Sequence, residues 1–495
     1  MISSIVFYNW ASEIYPSDLS TISYCDVRGG YAGSGNIDND PFFCDWVHGD
    51  YHLAGNSLCV TAGSGGGFMG RYEVGCPDVY PRTLRVPQDT SLIQDAIFAS
   101  YQGDTVLVDV GSYPENINFW GRRILLTSNY IHSGDTSHIS QTIIDGGGAT
   151  ANQSAFYSVG GEDSLSVLSG FTIANGYCSG SHGGGMTIKN NSQPHIEDCR
   201  IVNNSGPSSS VRGVGIYCTT SSPTIRRCLI GNNSPIGNGN YDHYGTGIYL
   251  AAAASPKIMD CQITNNQLAQ SIYHRNHGGG LYCDDSSPTF TNCLISGNTA
   301  DYGGGMETVN SSNVTFQHCT FDSNSVRHTG GAIHCGTAST VQADSCLFIK
   351  NKAQQNGGAL YTREGGHIDA LGSTITDNRA GDDFQALGAG VYAEAGIVFY
   401  NWASEIYPSD LSTISYCDVR GGYAGSGNID YDPFFCNWVN GDYHLAGNSL
   451  CVTAGSGGGL MGRYGVGCTD VHPRTLRVPQ DTSLIQDAIL ASYQG

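Results

Sequence analysis

Through the middle of the chain, apolar positions come in very short bursts. Stretches such as GLYC, PTFTNC and LIS, all within residues 280–296, alternate apolar and polar residues for three to five positions. Each then breaks at Gly, Asn, Asp-Ser or Ser-Pro. Alternation over so few residues predicts strands, and the breaks predict turns between them. No burst carries a 3.6-residue apolar spacing long enough for a helix, which argues against leucine-rich and ankyrin architectures. One segment differs. TSLIQDAIFASY has helical spacing at Leu92, Ile93, Ala96 and Ile97, with Asp89 or Thr90 as the expected N-cap.

The bursts recur. A phrase reading Gly-x-Gly-apolar-Tyr, Ser-Pro-Thr-Ile, Cys-apolar-Ile, Asn starts at Gly183, Gly213, Gly245, Gly278, Gly303, Gly330 and Gly357. Its Asn residues align at Asn204, Asn233, Asn266, Asn298, Asn324, Asn351 and Asn378, with gaps of 29, 33, 32, 26, 27 and 27 residues. The extra residues always follow the Asn, so one side of the repeat tolerates insertions. A three-residue strand cannot bury its apolar side alone. Three strands per turn, stacked at about 4.8 Å on the next turn, can. The expected fold is therefore all-β, a right-handed parallel β-helix, with a short helix over the open end of the stack where unpaired strand edges would invite aggregation.

In that frame the columns gain meaning. The Asn column is expected at a corner, in a left-handed backbone, hydrogen-bonded to its copies above and below. Gly triplets supply bends with positive φ. Cys199, Cys228, Cys261, Cys293, Cys319 and Cys346 form another column, with Ser373 where the next would stand. Stacked thiols have parallel Cβ vectors, a poor geometry for disulfides, so they read as small core residues, with metal binding or disulfides as the alternatives. Tyr217, Tyr249, Tyr282 and Tyr361 share a column as well. Facing outward they would be ligand-facing aromatics suited to sugar stacking. Facing inward they would be core.

A second, longer period encloses the first. Residues 5–103 reappear at 397–495 with eight differences in 99 positions. We read residues 1–81 as the C-terminal part of a preceding unit, 82–468 as a complete unit, and 469–495 as the start of a following one, in a window on a longer array with a 392-residue period.

Composition narrows the function. Acidic residues outnumber basic ones by 43 to 22, for a net charge of −21, which repels nucleic acid. No apolar run approaches the length of a membrane helix. The N-terminus lacks the features of a signal peptide and recurs within the chain, so for an exported protein the address lies outside this sequence. The cysteines form no CxxC pairs, which makes a zinc ribbon a poor reading.

The phrases VPQDTSLIQDAI, YPENINF, TIIDG, LSGFTIANG and the repeated GGGxY…SSPTI…C.I..N resemble the secreted right-handed parallel β-helix repeat proteins of environmental bacteria, in the pectate-lyase-like superfamily. That resemblance implies the fold across essentially the whole chain. It also implies a place to look for chemistry. Lyases of the superfamily use carboxylate-held calcium with Arg or Lys as base, and its hydrolases use clustered Asp residues. Either needs carboxylates at one position on successive coils. The nearest approach is Asp198 and Asp260, at a position that otherwise holds Arg227, Asn292, His318 and Ser345, and this reads as a solvated edge. Asp284-Asp285 sits in a turn and Asp382-Asp383 in a variable loop. His274 and His277 have metal-ligand spacing but no visible third ligand. NIDNDPFF, from Asn36 to Phe43, holds closely spaced oxygens that read either as a calcium site or, since Asp40 precedes a proline, as a turn.

No catalytic or cofactor-binding residue is assigned. The leading expectation is a non-enzymatic extracellular or cell-surface structural or adhesive protein that associates with itself or with neighbouring units of its array, with head-to-tail fibres as the assembly such contacts allow. The alternative is a module that binds or cleaves an extracellular polysaccharide.

Overall fold

The computed structural model describes the chain except for residues 1, 7–21, 28–30, 47–48, 80, 178–182, 208, 237–240, 268–274, 382–390, 395–396, 400–412 and 472–495. His274, Asp382 and Asp383 lie outside the described residues. The chain is a right-handed parallel β-helix. It divides into two compact units. One comprises Met1–Pro207, Gly213–Leu229 and Ala254–Lys257. The other comprises Ser208–Arg212, Ile230–Ala253 and Ile258–Gly495.

The first unit opens with a parallel pair, Ile5–Val6 with Asp26–Val27. A three-stranded sheet follows, Phe43–Asp45, Asp50–Ala54 and Val74–Cys76, cross-linked by the Cys44–Cys76 disulfide. The helix Ile93–Ala99 buries Ile93, Ala96 and Ile97 over the first coil. Neither Asp89 nor Thr90 caps it: the Asp89 carboxylate accepts from the Arg85 amide, and the Thr90 hydroxyl donates to the Leu92 carbonyl. The cap comes from the next coil, where both Glu115 oxygens accept the amides of Ile93 and Gln94 at 2.9 and 3.0 Å. A carboxylate at a helix N-terminus also meets the positive end of its dipole. Three parallel sheets then advance together. One runs Thr83–Val86, Thr105–Val108, Leu125–Ser128, Val167–Ser169, His195–Glu197, Thr224–Arg226; the other two begin at Gly111–Tyr113 and Ile117–Asn118.

The second unit has the same three-sheet plan. Ile248–Ala251, Leu281–Asp284, Met306–Val309, Ile333–Cys335 and Leu360–Thr362 pair in exact register, as do Leu294–Ser296, Thr320–Asp322, Leu347–Ile349 and Thr374–Thr376. Alternate residues point inward, so identical side chains stack: Phe290 on Phe316 at 4.7 Å and Phe321 on Phe348 at 5.1 Å between ring centroids. A short outer sheet, Thr299–Tyr302, Ser325–Thr329 and Lys352–Ala353, holds the segment that follows the Asn position.

The Asn column is a continuous buried ladder. Along Asn233, Asn266, Asn298, Asn324, Asn351 and Asn378, each Asn before the last donates its backbone amide and its Nδ2 to the Oδ1 of the Asn one turn on, at 2.9–3.3 Å. The left-handed backbone is not at these residues. It falls one position earlier, at Asn203, Asn232, Asn265, Gly297, Ser323, Lys350 and Asp377, with φ of 54–62°. That residue turns the corner, and the turn aims the next side chain inward. The position before the column Cys is also left-handed, from Asp198 to Ser345. In the Gly triplets the first residue bends, as at Gly278 with φ +62°, while the third lies so close to the next coil that a Cβ on Gly280 would sit 2.6 Å from the Gly305 oxygen. The six column cysteines are buried free thiols, each donating to the carbonyl two residues back, as Cys261 does to Met259 at 3.1 Å.

Asn298→Ala removes the acceptor for two donors of Asn266 and the donor to Ile263 O, all buried. Unpaired buried groups should cost roughly 2–4 kcal/mol in urea unfolding. Asn265→Gly, at the left-handed corner beside it, should change stability by less than about 1 kcal/mol. Equal losses in the two variants would contradict the division of labour between corner and ladder.

Candidate functional site

Polar chemistry gathers in two places. The first is on the sheet that carries the Tyr column of the second unit. In-register pairing aligns Tyr249, Tyr282, Glu307, His334 and Tyr361 on successive turns, so Glu and His replace Tyr in two coils. The neighbouring chain segments supply a second stack against it. Tyr244 stacks on His277 at 5.1 Å, His277 on Tyr302 at 5.4 Å, and Tyr302 on His328 at 4.8 Å. This layer covers the Tyr column: Tyr249 and Tyr282 are buried, Tyr217 in the first unit is buried too, and Tyr361 is half-buried. Tyrosines that point away from the core thus lie beneath a second layer.

At the centre, His277 Nδ1 lies 2.7 Å from Glu307 Oε2, and His334 Nδ1 lies 3.6 Å from Oε1. Glu307 and His334 are almost completely buried. Burial by itself would raise the Glu307 carboxyl, but His277, His334 and Arg363 outweigh it and hold the group below the ordinary glutamate range. Burial likewise opposes charge on His277, and the Glu307 carboxylate overcomes it, raising the imidazole. His334 is pushed down to about 4, chiefly by burial, and neither of its ring nitrogens has a hydrogen-bond partner among the described residues. The outcome is one charged pair beside one neutral imidazole. Around this centre sit guanidinium groups. Arg212 lies over Tyr244 and Tyr249, Arg275 and Arg363 each lie 5.8 Å from the Tyr302 ring, and Arg327 lies 3.7 Å from the buried Asp301 carboxylate. A carboxylate paired to an imidazolium under aromatic rings is poorly placed to take a substrate proton. The half-exposed Tyr302 and His328 with their arginines can instead hold a planar or anionic group.

The sequence reading named His277 without its partner and did not single out Glu307 or His334. The signal was there: METV and IHC put Glu and His where four other repeats put Tyr. The remaining candidates are structural in placement. Asp198 is bonded by Arg227, with Nε to Oδ1 at 2.7 Å, and Asp260 accepts from Asn292 at 3.2 Å. Asp284 accepts from Asn310. Among the described residues no group of three or more His, Cys, Asp or Glu is arranged to hold a metal ion.

The second place lies within the first unit, where residues 38–46 dock on residues 101–123. Arg123 Nη2 lies 2.8 Å from Asp38 Oδ2. The Asp40 amide donates to Gln102 Oε1 and the Gln102 amide donates back to Asp40 Oδ2, at 3.0 and 3.2 Å. The Tyr101 hydroxyl donates to the carbonyls of Phe43 and Cys44, and the Arg122 guanidinium lies 4.7 Å from the Trp46 ring. The Asp38 carboxylate and Asp40 Oδ2 of NIDNDPFF are thus taken up by residues 102–123, while Asn36 Oδ1 accepts from the Cys25 amide. The two disulfides, Cys44–Cys76 and Cys436–Cys468, also lie in the duplicated segment. Sequence reasoning missed them, although both cysteines recur in both copies and stand outside the columns.

Residues 115–273 and 267–410 match the family model of the right handed beta helix region. The chain belongs to that family. Comparison with curated proteins gave no match, and comparison with solved structures gave none.

The His277–Glu307 pair carries a pH signature. Its stabilisation is complete only between the ordinary glutamate value of 4.5, above which Glu307 is ionised in both states, and the ordinary histidine value of 6.5, below which His277 is charged in both states. Stability from the pair is lost as pH falls through the Glu307 value and as pH rises through that of His277. Glu307→Gln should lower the His277 midpoint followed by NMR and flatten the stability maximum between those limits. An unchanged midpoint would contradict the pairing.

Proposed function

We propose that this chain is a non-enzymatic extracellular structural protein in which β-helical units of one repeat are coupled end to end. One observation carries the reading: the docking of residues 38–46, the close of one period, on residues 101–123, the opening of the next. The interface is specific. It holds a reciprocal amide–carboxylate/carboxamide pair, an ion pair and a buried guanidinium over an indole, which is more than a flexible linker makes. Of its residues, Asp38, Asp40, Trp46, Tyr101 and Gln102 recur as Asp430, Asp432, Trp438, Tyr493 and Gln494, so this part of the joint is written a second time. Two disulfides suit a location outside the cell, where such bonds persist. Neighbouring units of the array are then the principal partners, and extension of the joint from chain to chain makes a fibre. A chain carrying two complete periods, imaged by electron microscopy, should show successive units at one fixed separation and angle. A broad spread of separations, as from beads on a flexible string, would reject the coupling.

A second reading, a face that binds acidic saccharide, is favoured by the arginines around Tyr302 and His328 in a chain of net charge −21. Calorimetry with tetragalacturonate tests it. Binding by the native chain, weakened at least about tenfold in Arg275→Ala/Arg363→Ala, supports the face; no heat with the native chain discards it.

A further inference from the structure

The duplicated segment occurs twice with nearly one sequence and two different surroundings. In the first copy, Ile5, Phe43, Tyr51, Met69, Arg71 and Tyr72 line an open cavity of about 230 Å³. Met69 is its buried floor, and Tyr51 is 47% exposed. Phe43, Tyr51, Met69, Arg71 and Tyr72 have identical counterparts in Phe435, Tyr443, Met461, Arg463 and Tyr464. There the surface is covered, and Tyr443 is only 3% exposed. The cover is a run of coils in the same unit. Leu347 and Ile349, the outward residues of one strand, form one apolar cluster with Phe435, Tyr443 and Met461. Arg463 donates to the carbonyls of His318 and Cys319, both at 2.9 Å, and to the Thr320 hydroxyl at 2.6 Å, while its amide donates to Thr374 Oγ1 at 3.0 Å.

The backbone tells the same story. Ile397–Phe399 has Thr374–Thr376 on one side and Asp418–Val419 on the other. Its counterpart Ile5–Val6 pairs only with Asp26–Val27, in a two-stranded sheet, so among the described residues its other edge is open.

We infer that the cavity at Phe43, Tyr51, Met69 and Arg71, together with the open edge of Ile5–Val6, is a docking surface for the coil stack of another unit of the same repeat, set ahead of residue 5 as residues 318–376 are set ahead of residue 397. The partner's chemistry follows from the covered copy. It presents an outward Leu-x-Ile strand to fill the cavity, two carbonyls and a Thr hydroxyl from the preceding turn for Arg71, and a strand to extend the sheet at Ile5. A second copy of this chain is the poorer occupant. Its coil face already holds its own 429–468 segment, and an intramolecular cover has the advantage of effective concentration. Combined with the docking of residues 38–46, the inference makes the duplicated segment two-faced: one face on the coils that precede it, the other on the unit that follows. It rests on the tandem-array reading and adds the second face.

The test is a chain in which residues 1–4 are replaced by a copy of residues 104–396. Tyr51→Cys reports on the cavity through its rate of maleimide labelling, with Tyr443→Cys as the covered reference and the chain without either substitution as the blank. In the chain as it stands, Tyr51→Cys should label at the rate of an exposed thiol. In the extended chain it should slow about a hundredfold, toward the rate of Tyr443→Cys, and Arg71→Ala should restore part of the labelling. Unchanged labelling in the extended chain overturns the inference. If units still stand at fixed separation in micrographs of that chain, the coupling of units survives and only this face is lost. Protection of Tyr51→Cys in the unextended chain at high concentration, with dimers in sedimentation, identifies a second copy as the occupant and overturns the inference as well.

Discussion

Everything in this molecule depends on a turn having another turn to lie on. A strand of three residues makes too few hydrogen bonds and buries too little surface to persist by itself, so each coil borrows both from its neighbours. The Asn ladder is the most demanding form of this dependence. Its amides sit in the core, where an unpaired polar group is expensive, and they find their acceptors on the neighbouring coils, the next Asn on one side and a backbone carbonyl on the other. The ladder therefore holds vertical register where the sheets alone tolerate slippage, because a slip would strand several buried amides at once. The insertions that follow the Asn vary in length without disturbing it, since they leave the stack only after the register has been set.

A stack built this way has a problem at each end, and the chain answers with different devices. At the start, the helix Ile93–Ala99 lies over the first strands and is held by Glu115 of the following coil. Beyond the last coils the second copy of the duplicated segment applies an apolar surface, backed by a disulfide and clamped by Arg463 on backbone carbonyls. Backbone acceptors make an undemanding partner for such a clamp. They depend on the course of the chain and hardly on the identity of its side chains, so coil sequences can drift without loosening the closure.

The sequence made legible whatever repeats at short range. The strands, the corners, the Asn and Cys columns and the 392-residue period all follow from aligning the chain with itself. Other features depend on a residue that breaks the repeat or on a partner far along the chain. Glu307 looks like one irregular Tyr position until pairing sets it between His277 and His334. Glu115 caps a helix 22 residues earlier, whereas a cap is legible in sequence only beside its helix, where Asp89 and Thr90 stand. The Asn column was assigned the left-handed corner because Asn tolerates that backbone, and composition alone did not separate the residue that bends from the one beside it that bonds. The layer over Tyr249 and Tyr282 was hidden because it comes from the variable segments, where the repeat carries no information.

The duplicated segment holds free thiols as well as a disulfide. Buried Cys59 donates to Asp26 Oδ2 at 3.0 Å, and Cys451 does the same to Asp418, while Cys44–Cys76 and Cys436–Cys468 cross-link the same segments. Burial lifts each aspartate to a pKa of about 7, and burial, with the nearby carboxylate behind it, pushes each thiol far above its ordinary range. Disulfide exchange begins with a thiolate, and these sulfurs are kept from becoming one. Burial, with the carboxyl partner behind it, thereby guards the pattern of cross-links: oxidised and reduced cysteines can share one small segment without trading places.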